Sequence, residues 1–154
     1  MGYVSFDEVQ ELLDKGEKTK DVFEKVYPFY EGFARVKLNG KWNFIDEDCT
    51  ILSKTWFDNA GDFQEGFAKV YLNNKCNFID TKGNIISKTW FDYAFPFKEG
   101  FAEVELNGKW NYYIDKDGHL YDMNKQPITE SFTGLQNRIY EAIQIGIMKG
   151  LRRI

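Results

Sequence analysis

One tetrapeptide, Glu-Gly-Phe-Ala, occurs three times at a fixed interval, and this periodicity constrains the fold more than any other property of the chain. Glu31-Gly32-Phe33-Ala34 returns as Glu65-Gly66-Phe67-Ala68 and as Glu99-Gly100-Phe101-Ala102, a spacing of 34 residues. The segment that follows returns with it: Leu38-Asn39-Gly40-Lys41-Trp42-Asn43-Phe44-Ile45-Asp46 becomes Leu72-Asn73-Asn74-Lys75-Cys76-Asn77-Phe78-Ile79-Asp80. Between the first two copies 21 of 34 positions are identical. Repetition at this period makes each copy one supersecondary unit that buries its apolar face only against a neighbour.

Local signals within each copy specify strands. Ala34, Val36 and Leu38 alternate with Phe33, Arg35 and Lys37, the period of a half-buried strand. Asn39-Gly40, Asn73-Asn74 and Asn107-Gly108 then supply two residues that tolerate positive φ, as a type I′ hairpin requires. A second turn runs from Asp to Gly at Asp80-Thr81-Lys82-Gly83 and Asp115-Lys116-Asp117-Gly118. Cys49 replaces that glycine in the first copy, at an expected cost of about 1 kcal/mol if the site has positive φ. The third copy carries one extra residue, Tyr112 or Tyr113, expected to form a bulge. A 34-residue period is also that of tetratricopeptide helix pairs, but two turn clusters per copy leave no room for two helices.

The repeats are flanked by helical signals. Ser5 and Glu8 form a capping box, with Val4 and Val9 as its apolar staple, ahead of the stripe Phe6, Val9, Leu12 and Leu13, and Gly16 stops that helix. Glu17 to Asp21 read as a charged linker. Val22-Phe23 and Phe29 align with Trp56-Phe57 and Phe63, so the array opens on a partial copy. After it, Leu135, Ile139, Ala142, Ile143 and Ile147 form the apolar face of a C-terminal helix ending at Gly150. The expected architecture is mainly β: about three antiparallel hairpin repeats plus a partial first one, between an N-terminal and a C-terminal α-helix. The whole chain, residues 1–154, is expected to form a single domain. Residues 1–21 hold the first helix and linker, 22–122 the array, and 123–154 a C-terminal segment whose helix caps the open end.

These residues resemble the WG-repeat family of bacterial proteins, whose unit reads F-x-E-G-hydrophobic-A-x-V-x-x-x-G-K-W-G-F-I-D followed by a turn glycine and an aromatic-Asp segment. The matching stretches are Phe29 through Asp58, Phe63 through Asp92 and Phe97 through Gly118. The chain departs from the pattern at Asn43, Asn77 and Asn111, which replace a glycine and concern only a local backbone detail, and at Cys76, which replaces a tryptophan. The resemblance implies a β-rich repeat architecture and carries no catalytic residue with it.

Composition narrows the function. The net charge is −4, and the repeats themselves are acidic, which disfavours a phosphate-holding groove along the array. The only positive excess lies in residues 119–154. No stretch approaches the ~20 apolar residues of a membrane span, Met1–Ser5 shows no leader pattern, and the two cysteines fall at unrelated repeat positions. Free thiols and a cytoplasmic location are therefore expected. His119 is the sole histidine and reads as a surface residue. No phosphate loop, dinucleotide fingerprint or zinc spacing is present. Asp115-x-Asp117-Gly118 resembles the start of a calcium loop but lacks its bidentate glutamate. No catalytic residue, metal or cofactor is expected.

The recurring Glu31, Glu65 and Glu99 with Lys41, Lys75 and Lys109 read as a structural device: a cross-strand ion pair, or carboxylates accepting backbone N–H groups at the turns. Three aromatic rows, Phe33/Phe67/Phe101, Phe44/Phe78/Tyr112 and Trp56/Trp90, are expected to stack. The expected function is a non-enzymatic binding or scaffold module with a protein partner, strand addition to an open sheet edge being one mode. The alternative is a small nucleic-acid-binding or inhibitory protein of mobile-element type acting through the basic tail, and an enzyme comes last. Candidate partner-binding residues are Trp56, Trp90, Trp110 and Tyr113 on the repeats, and Arg138, Lys149, Arg152 and Arg153 on the tail.

Overall fold

The structure, a computed structural model, describes residues 6–128. The Ser5 cap, the Val4 staple and the C-terminal helix lie outside the described residues.

Helix α1, Phe6–Asp14, buries Val9 and Leu13. It ends in a Schellman turn: Gly16 N–H donates to Leu13 O (2.9 Å) and Glu17 N–H to Leu12 O (3.1 Å), with Gly16 at φ +91°, as a helix stop of this kind requires. Residues 17–21 do not form a linker throughout. Thr19–Val22 is a one-turn helix, α2, which buries Val22 against the first core.

Three antiparallel sheets follow, one per unit. Unit 1 holds β1 (Lys25–Tyr30), β2 (Phe33–Leu38) and β3 (Lys41–Asp46). Unit 2 holds β4 (Asn59–Ala60), β5 (Phe67–Leu72) and β6 (Lys75–Asp80). Unit 3 holds β7 (Tyr93–Ala94), β8 (Phe101–Leu106), β9 (Lys109–Asp115) and β10 (Leu120–Tyr121). The hairpins turn where the sequence requires: Asn39 and Gly40, Asn73 and Asn74, and Asn107 and Gly108 all have positive φ. The Glu-Gly pairs are a second set of the same kind. Glu31-Gly32, Glu65-Gly66 and Glu99-Gly100 have φ near +53° and +86°, each inside a two-residue loop closed by the pairs Tyr30↔Phe33, Gln64↔Phe67 and Lys98↔Phe101.

On β2, Ala34, Val36 and Leu38 are buried and alternate with half-buried neighbours; β8 repeats that pattern. Cores form at the junctions between units. Phe44, Phe57 and Phe63 pack with Ala68, Val70 and Ile79 between units 1 and 2. Phe78, Phe91 and Phe97 pack with Ala102, Val104 and Ile114 between units 2 and 3. Before unit 1 the described residues hold α1, whose Val9 and Leu13 cover Ala34, Val36 and Ile45.

The asparagines that replace the family glycine do more than adjust the local backbone. After β3 a return segment pairs with it at Ile51, loops out, and rejoins it at Phe57. Asn43, fully buried, spans the gap: its Nδ2 donates to Ser53 O (2.8 Å), and its Oδ1 accepts from the N–H groups of Phe44 and Ser53 (2.8 and 3.2 Å). Asn77 does the same in unit 2, donating to Ser87 O and Thr89 O (2.9 and 3.1 Å). Asn77→Ala should therefore strand buried carbonyls and cost about 2 kcal/mol, read as a lowered urea midpoint; an unchanged midpoint would mean that water replaces the amide.

In unit 3 the register slips by one, with Val104 opposite Tyr112 and Glu105 opposite Trp110. The extra residue is thus Asn111 rather than a tyrosine. Tyr112 takes the place of Asn43 and Asn77, and Tyr113 that of Phe44 and Phe78. The looped-out segment that those asparagines hold is also absent. The chain makes another Asp turn instead, with Lys125 N–H donating to Asp122 O (2.8 Å), and Ile128 N–H donates to Leu120 O (2.8 Å).

Candidate functional site

The repeated charged residues are junction hardware. The Glu31 carboxylate accepts the N–H groups of Glu65 and Gly66 (2.7 and 2.8 Å), so the Glu-Gly turn of unit 1 holds the equivalent turn of unit 2. Lys41 and Lys75 do not pair with these glutamates. Lys41 pairs with Asp58 and Lys75 with Asp92, and the same aspartates accept from the hairpin N–H groups of Asn73 and Asn107 (2.8 and 2.7 Å). The ammonium hydrogen bond, foremost, and the backbone donor hold both carboxyls below their ordinary value of 3.8. A carboxyl lowered by folding contributes stability above its ordinary value and loses that contribution as pH falls through the lowered one. The urea midpoint is expected to be flat near neutrality and to decline below about pH 4, with a shallower decline in Lys75→Met. An equal decline in both proteins would remove this pair from the acid response.

The Asp turns explain the apparent metal cluster. Ligand atoms of Asp115, Asp117 and His119 lie within 4.8 Å of one another, yet Asp115 is already saturated. Its Oδ1 accepts the N–H groups of Asp117 and His119 (both 2.9 Å), and its Oδ2 lies 2.7 Å from the Tyr121 hydroxyl and 3.2 Å from His119 Nδ1. The same Oδ1 pattern recurs at Asp46, Asp80 and Asp122. Four copies of one arrangement point to turn chemistry and not to a metal site. Cys76, buried against Tyr71 and Phe91, has its thiol pushed up to about 11 by burial, which leaves no thiolate at neutral pH. Cys49 has φ +60°, the strained conformation expected of it, and both cysteines are free thiols.

The aromatic side chains divide into two sets. The inner set interlocks the units. Phe63 of unit 2 sits between Phe33 (4.6 Å, stacked) and Phe44 (5.0 Å, edge-on) of unit 1. Phe97 of unit 3 sits likewise between Phe67 (4.6 Å) and Phe78 (4.8 Å). The expected rows are thus pairs of rings with a ring from the next unit between them, and Tyr113 rather than Tyr112 continues the second row. Trp56 lies 6.5 Å from Phe23 beside the first core, and Trp90 packs on the second. Neither belongs to an open ladder.

The outer set lies on the solvent side and changes along the array. In unit 1, Arg35 lies over Tyr27 and Trp42 (4.3 and 5.2 Å to the ring centroids) while donating to Ala60 O and Asp62 of unit 2. In unit 2, Lys69 lies over Tyr93 (4.2 Å) and donates to Ala94 O. Unit 3 has Glu103 at that position and Glu105 where unit 1 has Lys37. It also has Tyr93 and Phe95 where unit 2 has Asn59 and Gly61. Phe95, 47% exposed, lies 4.8 Å from Trp110, which lies 5.9 Å from Tyr93. Among the described residues no cation covers Phe95 or Trp110.

Of the residues singled out from sequence, Trp110 and Tyr113 therefore fall on unit 3, Trp56 and Trp90 at cores, and Arg138, Lys149, Arg152 and Arg153 outside the described residues. Tyr93, Phe95 and Glu103 break the period, standing where unit 2 has Asn59, Gly61 and Lys69, so matching positions do not point to them. A family model described as "WG containing repeat" matches three consecutive stretches, residues 22–42, 44–76 and 78–110. No curated protein and no solved structure matches the chain.

Proposed function

The chain belongs to the WG-repeat family, and from that premise we propose that it is a non-enzymatic binding module whose outer face on unit 3 docks a protein partner. The observation that carries this reading is the open cluster of Tyr93, Phe95 and Trp110. Tyr93 and Phe95, exposed at positions where the unit departs from its own repeat, gather on the half-buried repeat tryptophan Trp110, while the arginine or lysine of the earlier units is replaced by Glu103. Tryptophan and tyrosine in a contiguous, partly exposed patch are among the residues most enriched at binding hot spots. Glu103 and Glu105 beside them favour a partner with an apolar anchor and a basic rim.

The test is capture of partners from a cell extract by the wild-type chain and by Phe95→Ala/Trp110→Ala, followed by binding of the purified partner. The double variant is expected to weaken binding at least tenfold with an unchanged fold by circular dichroism. Unaltered binding would reject this face. Steep loss of binding with added salt, together with retention of nucleic acid, would favour instead the basic residues Arg138, Lys149, Arg152 and Arg153. No helix among the described residues is long and apolar enough to cross a membrane.

A further inference from the structure

Unit 3 repeats a cation-holding ring pair and reverses the charge beside it. In unit 1, Tyr27 and Trp42 lie 5.4 Å apart, Arg35 lies over both (4.3 and 5.2 Å), and Lys37 lies over Trp42 (5.6 Å). Phe95 and Trp110 occupy the same repeat positions and lie 4.8 Å apart. The residues in register with Arg35 and Lys37 are Glu103 and Glu105. Strand pairing sets these two among the rings. Glu105 stands opposite Tyr93 on β7 and opposite Trp110 on β9, while Glu103 stands opposite Tyr113 and its carbonyl accepts from Phe95 N–H (2.9 Å). Both glutamates lie on the outer side of β8, since Ala102, Val104 and Leu106 are the buried residues of that strand. Cations over rings are a recurring feature elsewhere in the array: Lys69 lies over Tyr93 (4.2 Å), and Lys125 over Phe101 and Tyr113 (4.9 and 5.3 Å).

We propose that the Phe95–Trp110 pair, with Glu103 and Glu105, binds an arginine side chain of the protein partner in the position that Arg35 holds in unit 1. The inference rests on the outer-face reading and specifies the basic group that this face takes. Aromatic rings attract a cation through their negative faces. In unit 1 that cation belongs to the chain itself, and a second one would be repelled. In unit 3 the chain places carboxylates at the same two positions, so rings and charges act together on one incoming cation. Arginine suits the site better than lysine, because its planar guanidinium stacks on a ring while its edge offers a fork of N–H donors to a carboxylate. Arg35 already acts in this double way, lying over Tyr27 and Trp42 while its Nε donates to Asp62 (2.7 Å). A nucleic acid does not fit the site, because the two carboxylates repel its phosphates.

The test titrates the full chain with N-acetylarginine N-methylamide and with its citrulline analogue, which keeps the shape but not the charge, and follows the indole N–H signal of Trp110 by NMR. The arginine probe is expected to shift that signal saturably in the millimolar range, and the citrulline probe to bind about tenfold more weakly. Glu103→Gln/Glu105→Gln and Phe95→Ala are each expected to weaken the arginine probe by about fivefold. Glu103→Arg, which restores the charge found in unit 1, is expected to abolish its binding. No saturable shift, equal binding of the citrulline probe, or unchanged binding in Glu103→Gln/Glu105→Gln would each overturn the proposal. A shift that appears only after Arg138, Arg152 and Arg153 are all changed to Gln would assign the site to the chain's own arginines and overturn it as well. Partner capture separates this proposal from the reading beneath it. A partner lost in Phe95→Ala/Trp110→Ala but kept in Glu103→Gln/Glu105→Gln would leave the docking face standing and remove the arginine.

Discussion

Phe97→Ala is expected to destabilise the chain by about 3–5 kcal/mol. Phe97 is 5% exposed and enclosed by Phe67 and Phe78, so truncation leaves a cavity between two units that the stiff sheets close only in part. Phe29→Ala removes the same side chain from the same position of the repeat, yet Phe29 is 45% exposed and has no pair of enclosing rings among the described residues. Its loss should cost within about 0.5 kcal/mol. Urea unfolding of the two variants side by side measures the difference, and equal costs would mean that the rings do not lock the units together.

Gly118→Ala comes next, at about 2–4 kcal/mol. Gly118 has φ +83°, and a Cβ placed there would stand 1.9 Å from the carbonyl oxygen of Ile86, a backbone atom of the preceding unit. The junction must open to admit it. Gly66 is the internal control: its φ is +85° with nothing within 4 Å of the added carbon, so Gly66→Ala pays only the conformational penalty of about 1 kcal/mol. Similar values for the two would show that the Asp turns do not pack unit on unit. The comparison also accounts for Cys49. Its turn meets α1, whose Gln10 donates to Cys49 O (3.1 Å), so a side chain fits despite φ +60°.

What could be read from the sequence was whatever depends on nearest neighbours. Asn39-Gly40 and its two counterparts dictate their own turn, and the alternation from Phe33 to Leu38 dictates which side of the strand is buried. What could not be read depends on the next unit. Glu31 resembles a partner for Lys41 in one dimension, whereas its carboxylate acts on the turn 34 residues on. Asn43 resembles a substituted glycine until the segment at Ser53 and Thr55 is seen to leave the sheet opposite it. The position of the bulge depended on which of three adjacent residues lost its cross-strand partner, and the two tyrosines that follow Asn111 made the alignment ambiguous. The outer aromatic cluster was legible in principle, as the set of positions where copy three differs from copy two.

The helix that stands in for a missing neighbour gives the stack a direction. Lengthening by gene duplication cannot proceed past α1 without rebuilding it, but a unit inserted between units 1 and 2 would meet on each side the ring seat, the Lys–Asp clip and the glycine contact it already uses. Chains of this design can therefore grow from the middle while α1 and the aromatic cluster of unit 3 are left unaltered.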